Sequence, residues 1–333
     1  MNEHAPNLPG EPKAEGLQIV PATAPMRNPW MVAVWPGMAG VAINAGIYLL
    51  SKLDMDVFAE LETGDLFDVD HVAVRGGLVQ PTRKPRQRLF RWIDPKGKRD
   101  LVVFLGEAQP PAGKHLFCRE LMAFAKKLGV ERVLTFAAMA TRLRPGDNPR
   151  VYGVATDREQ LEEIKRLELE VLDEGNVGGL NGVLLIAAKE ACLPGVCMLG
   201  EISAVIAQLP SPQASLAVLE AFATMAGIEL DLSELEDQAK EVKSQLGQIV
   251  AQLENAATEQ EEEAETEGDE GVVATEPAPE ETMSDADRDR IEALFDEAKK
   301  DRAKAFELKK TLDRLEAFAE YEDRFLDLFR KPE

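Results

Sequence analysis

The pattern of hydrophobic positions along this chain changes three times. Residues 1–28 carry Pro, Gly, Ala and charge with neither alternation nor helical repeat, which predicts a disordered N-terminal segment. From Pro29 short apolar blocks begin: Met31–Trp35, Val57–Leu61, Leu89–Ile93, Leu101–Leu105, Arg132–Ala138, Val151–Ala155, Glu168–Leu172 and Val196–Leu199. Between several of them lie helical patterns, Val41–Leu53, Gly113–Leu128, Arg158–Arg166, Asn181–Ala191 and Pro212–Met225. Runs such as LVVFLG are continuously apolar, as strands covered on both faces require. Alternating strand and helix patterns over 29–230 predict an α/β domain with a mostly parallel central sheet. One exception is local: Asp94-Pro95-Lys96-Gly97 puts Asp, Pro and Gly where a type I turn favours them, so an antiparallel hairpin should make the sheet mixed.

After Leu230 the pattern changes again. Leu232, Leu235, Ala239, Val242, Leu246, Ile249 and Leu253 step by three and four, which predicts a heptad helix over 231–256. Ile291, Leu294, Ala298, Ala305, Leu308, Leu312, Leu315, Ala319 and Phe329 keep the same frame, with Asp301, Glu322 and Leu326 at the remaining seam positions, and predict one long helix over 285–330. Coiled-coil or helical-hairpin packing is expected for both, against the alternative that each lies flat on the α/β core. No Lys or Arg occurs from Ser244 to Asp287, and 257–284 is expected to be an acidic disordered linker.

Charge sharpens this division. The formal net charge is −22, yet residues 1–230 hold 24 Lys/Arg against 28 Asp/Glu, so the acidity belongs to the last third. Such a balance speaks against a nucleic-acid partner. No apolar run reaches the ~18–20 residues of a membrane span, and the polar, Pro-rich N-terminus has no signal-peptide pattern, so a cytoplasmic location is expected. Cys118, Cys192 and Cys197 have no metal-ligand spacing and are expected as buried free thiols; His4, His71 and His115 are the only imidazoles. Neither a catalytic set nor a metal or cofactor site is expected.

Two Gly-rich turns are the candidate binding elements. Gly37-Met38-Ala39-Gly40 follows a strand and opens a helix, so its amides could hold an anion; it lacks both the Walker and the G-x-G-x-x-G patterns and equally reads as a tight connection. The segment Glu174–Leu185 also ends in a helix, which Asn176, Gly178, Gly179 and Asn181 would cap or turn. In a doubly wound sheet both turns meet at one edge with Glu107, Arg142 and Arg144 as charged anchors. The candidate ligand set is therefore Gly37, Met38, Gly40, Glu107, Arg142, Arg144, Asn176, Gly179 and Asn181. The basic stretch Arg75–Arg91 reads as a solvated loop or as a dock for an acidic protein surface.

Taken together, several ordered motifs resemble the proteasome assembly chaperone family, in its second type and its bacterial and archaeal relatives. The carrying residues are Trp35-Pro36-Gly37-Met38-Ala39-Gly40-Val41, LVVFLGEAQP, LGVERVLTFAA, Pro149–Thr156, Gly175–Gly182 and LPSPQASLAVLEAF, spread over about Pro29 to Asn255. The resemblance implies a three-layer fold like that of purine nucleoside phosphorylases, self-association, binding to proteasome-like or other protein subunits, and no catalytic residues. Some family members dock through a C-terminal hydrophobic-Tyr-any-residue tail; here the sequence reads Phe329-Arg330-Lys331-Pro332-Glu333 and the nearest Tyr is Tyr321, so that mode is not expected. The leading expectation is a non-enzymatic scaffold that assembles with itself. Its rival is a phosphorylase-like enzyme or binder of a nucleoside or phosphorylated metabolite.

Overall fold

A computed structural model describes residues 18–19, 26–61, 66–67, 72, 74–75, 77–79, 84–144, 147–264, 283–315 and 317–330, with backbone alone at 18–19, 75, 249–264, 285 and 319. In chain order its elements are β1 (Gln18–Ile19), β2 (Trp30–Val34), α1 (Val41–Lys52), β3 (Asp56–Glu60), β4 (Val74–Arg75), β5 (Leu78–Val79), β6 (Gln87–Trp92), β7 (Leu101–Gly106), α2 (Lys114–Lys127), β8 (Arg132–Thr141), β9 (Val151–Ala155), α3 (Arg158–Arg166), β10 (Glu170–Val171), α4 (Gly179–Glu190), β11 (Gly195–Ser203), α5 (Pro212–Ala226), α6 (Ser233–Ala264), α7 (Asp285–Lys300), α8 (Ala305–Arg314) and α9 (Phe318–Asp327). Among the described residues no helix is long and apolar enough to cross a membrane.

Nine strands form one sheet in the order β1-β3-β6-β7-β2-β8-β11-β9-β10. β2 runs parallel to β7 and β8, and β10 parallel to β9. β6 is antiparallel to both β7 and β3, and β1 to β3, so the sheet is mixed as expected. The hairpin forms where the sequence places it. Gly97, at φ 68°, donates its N–H to Asp94 O at 2.9 Å, and the Asp94 carboxylate accepts from Lys96 N, Lys98 N and Arg99 N at 2.9, 2.7 and 3.2 Å. Every residue of β2 is buried, on both faces of the strand, which explains why its sequence does not alternate.

The chain divides into two compact units. The first comprises Met1–Gly37, Met55–Ala137 and Tyr152–Leu199. Its core sets Met31, Trp35 and Phe104 of the β2–β7 region against Phe117 and Leu121 of α2 and Leu184 of α4. The Trp35 ring centre lies 5.3 Å from that of Phe104 in a tilted contact and 6.5 Å from that of Phe117 in an edge-on one, geometries that aromatic quadrupoles favour. Separate from the large sheet, β4 and β5 pair Val74 with Val79 in a two-stranded sheet at the start of the basic stretch that reads as a solvated loop or a dock.

The second unit comprises Met38–Asp54, Ala138–Val151 and Gly200–Glu333. Here α1 is buried at ten of its twelve positions, packing against α5 and α8. Its polar residues are each met by the C-terminal region: Ser51 Oγ donates to Arg302 O at 3.0 Å, Lys52 pairs with Glu234 at 2.7 Å, and Asn44 Oδ1 accepts from Lys309 Nζ at 3.2 Å. Tyr48 donates to Asp231 O at 2.9 Å while Phe306 stands edge-on to its ring, centroids 4.6 Å apart. A helix apolar around its whole circumference needs such a cover.

This packing corrects several expectations. Within the unit α6 packs on α5 and α8 on α1, as the alternative to a coiled coil has it, while α8 also packs on α7 and α9 and its Lys310 pairs with Glu241 of α6. The single helix expected over 285–330 is three. Asp301, at a seam position, takes extended backbone angles and accepts from Ala303 N at 3.0 Å, capping a short 3-10 turn (Arg302–Lys304) where a continuous helix would leave that carboxylate unused. The first heptad helix runs on to Ala264, so 257–264 of the expected linker are helical; 265–282 lie outside the described residues. Gln18 and Ile19, within the segment expected to be disordered, pair with β3. Cys118 and Cys197 are buried free thiols, but Cys192 is exposed, at φ 57° just beyond the end of α4.

Candidate functional site

The first Gly loop turns the chain with two successive left-handed residues, Ala39 at φ 52° and Gly40 at φ 62°. Gly40 is the N-cap of α1 and offers no side-chain cap. A Cβ there would lie 3.0 Å from Asn44 Nδ2, so Asn44 lies close against this turn. The loop is also tied to α5: Ser211 N donates to Ala39 O at 3.0 Å and Ser215 Oγ to Val41 O at 3.3 Å. Beyond Asn44 stands Lys309, 4% exposed, whose ammonium is bonded to Asp313 and lies 3.9 Å from the Phe318 ring centre. Burial pulls the Lys309 pKa down and pushes the Asp313 carboxyl up, and their mutual attraction opposes both shifts. Sequence reading passed over Lys309 because it sits inside an apolar seam.

In the first unit the second Gly loop is held by a residue that the sequence did not single out. Gln109 Oε1 accepts from Leu180 N at 3.1 Å, and its Nε2 donates to Pro36 O at 3.2 Å. Gln109 thus supplies the α4 cap that the N-cap, Gly178, does not. A Cβ on Gly179, which has φ 67°, would stand 2.8 Å from Gln109 Oε1, so glycine is needed for this approach. Asn176 is exposed and Asn181 Oδ1 is buried without a hydrogen bond; neither caps the helix, contrary to expectation. The available signal was a polar residue at a strand end immediately before Pro110-Pro111.

Glu107 is committed to the sheet. Its Oε2 accepts from Arg86 N at 2.7 Å and its Oε1 lies 3.8 Å from the Arg88 guanidinium, with both side chains buried. Arg86 in turn grips Glu60 through two bonds of 2.9 Å. Such an arrangement locks the end of the β6–β7 pair and leaves Glu107 poorly suited to anchor a ligand. His115 meets Glu190 at 3.0 Å on an exposed surface; His4 and His71 lie outside the described residues.

The strand ends of the second unit carry the other charged candidates. Arg142 and Arg144 are both exposed. Arg144 lines a small concavity with Leu143, Asp147, Glu201, Ser203, Ser211 and Gln213, of about 30 Å³. That is room for about two waters. At its side, Glu201 is 1% exposed and fully satisfied: Oε1 accepts from Thr141 Oγ1 at 2.8 Å and Arg150 Nη2 at 2.9 Å, Oε2 from Arg150 N at 3.1 Å and Nε at 3.0 Å. The bond from Arg150 leads the causes that hold its pKa down at about 2, against the opposing effect of burial. A carboxylate inside the apolar run Val196–Ile202 was the sequence signal for this knot. Of the nine residues proposed as ligand contacts, the second unit thus brings the Met38–Gly40 turn, through Ser211, to the pocket that Arg144 lines; in the first, Gly179 meets Gln109, and Glu107, Asn176 and Asn181 have other surroundings. Among the described residues no group of His, Cys, Asp or Glu is arranged to hold a metal ion.

The PAC2 family model matches residues 31–250, spanning β2 through most of α6. The chain belongs to the PAC2 family. An uncharacterized protein of Methanocaldococcus jannaschii is 27% identical over 221 residues, 65% of this chain and 81% of that protein. Pyrococcus furiosus PbaB, described as an archaeal proteasome activator, shares the fold with a TM-score of 0.58 at 23% identity, covering 70% of this chain and 97% of PbaB. PbaA of the same organism, described as an archaeal homolog of proteasome-assembly chaperone, aligns with a TM-score of 0.55 at 24% identity, over 76% of this chain and 99% of PbaA. The PAC2 match ends before α7, so the three helices whose α8 covers α1 lie beyond the matched span.

Proposed function

We propose that this PAC2 chain is a non-enzymatic scaffold, like a proteasome assembly chaperone, that works by self-association and by holding proteasome-like or other protein subunits in the cytoplasm. Family membership supports the class, and the descriptions of PbaA and PbaB supply the kind of partner. The observation that carries the reading is exposed apolar surface. The β4–β5 sheet leaves Val74, Leu78 and Val79 63%, 71% and 67% exposed, and Val205 in the short turn after β11 is 86% exposed. Large exposed apolar side chains grouped on small elements favour association with another chain. The polar groups expected to anchor a metabolite argue the same way, since Glu107 is engaged by Arg86 and Arg88.

Light scattering on the full chain at tens of micromolar tests this. A defined oligomer that dissociates when Val74 and Val79 are both changed to Asp is the expected result. A chain that stays monomeric throughout, or that turns over a nucleoside, overturns the proposal.

A further inference from the structure

The pocket in the second unit has a composition that the scaffold role does not use. Three segments converge there: the turn after β8 with Arg144, the end of β11 with Ser203, and the start of α5 with Ser211 and Gln213. The α5 terminus is an open donor. Pro212 has no N–H, Ser211 Oγ takes Ala214 N at 3.3 Å, and Gln213 retains the remaining first-turn amide, at the positive end of a 15-residue helix dipole. Ser203 is 4% exposed and lines this pocket, yet its hydroxyl finds no hydrogen-bond partner. A buried hydroxyl left unmatched costs free energy, which a bound acceptor would return. The exposed Arg144 guanidinium makes no ion pair among the described residues.

From this geometry we propose that the pocket is a binding site for the carboxylate group of a small molecule. Its volume of about 30 Å³ suits a small polar group such as a carboxylate. Ser203 and the Gln213 amide offer donors to the two oxygens, and Arg144 balances the charge. Two carboxylates also line the pocket. Glu201 is paired with Arg150, and Asp147 adds a second acidic side chain to the lining, which favours a singly charged carboxylate over a doubly charged phosphate.

The test is thermal unfolding of the full chain titrated with sodium acetate, with inorganic phosphate, and with sodium chloride at matched ionic strength. Acetate at about 100 times its dissociation constant should raise Tm by roughly 4 °C beyond chloride. Ser203→Ala should unfold no earlier than the parent without ligand, because it removes an unmatched hydroxyl, and should lose most of the acetate-dependent rise. Arg144→Gln should weaken acetate at least tenfold. A rise with phosphate alone, no rise beyond chloride, or a full rise in both variants overturns the assignment.

Discussion

Replacing Glu201 by Gln removes one negative charge from a carboxylate that accepts four hydrogen bonds while keeping its shape. The fall of its pKa from 4.5 to about 2 corresponds to about 3 kcal/mol in favour of the charged folded form, at roughly 1.4 kcal/mol per pH unit. The Arg150 side chain is 55% exposed, so solvent screening reduces the expected loss at pH 7 to about 2 kcal/mol, or roughly 3 °C in Tm. The pH dependence has a definite sign. Because the folded carboxyl titrates below the unfolded one, its contribution is complete above pH 4.5 and disappears as pH falls through about 2. Urea unfolding of both proteins at pH 7, 4.5 and 3 should therefore show a gap that at pH 3 is less than half its pH 7 size. An absent gap at pH 7, or one of constant size across the series, would refute the assignment of Glu201 as a charged tie between β11 and Arg150.

Three further outcomes follow from the same structure. Lys309→Met leaves Asp313 largely buried without its cation and should cost about 3 kcal/mol by urea midpoint, whereas the Lys309→Met, Asp313→Leu double variant should recover much of that loss. Gln109→Ala should destabilise by about 1 kcal/mol through the lost α4 cap, with local amide exchange near Leu180 rising before the rest of the chain. Burial pushes the thiols of Cys118 and Cys197 up to about 12, so at pH 8 a thiol reagent should find one fast cysteine per native chain, Cys192, and three after denaturation. Two or more fast thiols in the native chain would contradict that burial.

The sequence by itself determined the fold class and nearly every element of the α/β region, because strand and helix periodicities are local properties of the chain. The hairpin at Asp94-Pro95-Lys96-Gly97 was equally legible, since Asp, Pro and Gly settle a turn within four residues. Only the tertiary structure decided what the glycine turns do. A G-x-x-G turn is compatible with an anion or with a packed side chain, and the presence of Asn44 with Lys309 behind it is set by residues some 265 positions apart. The same holds for the C-terminal seams. A heptad stripe states that one face must be covered but not by what, and here α1, apolar on all sides, takes α8, while Asp301 breaks the frame by capping a new turn. Glu107, Gln109 and Glu201 show the limit most directly: the sequence singled out Glu107 alone, and the partner that each of the three finds in the fold fixed whether it ties the sheet or caps a helix.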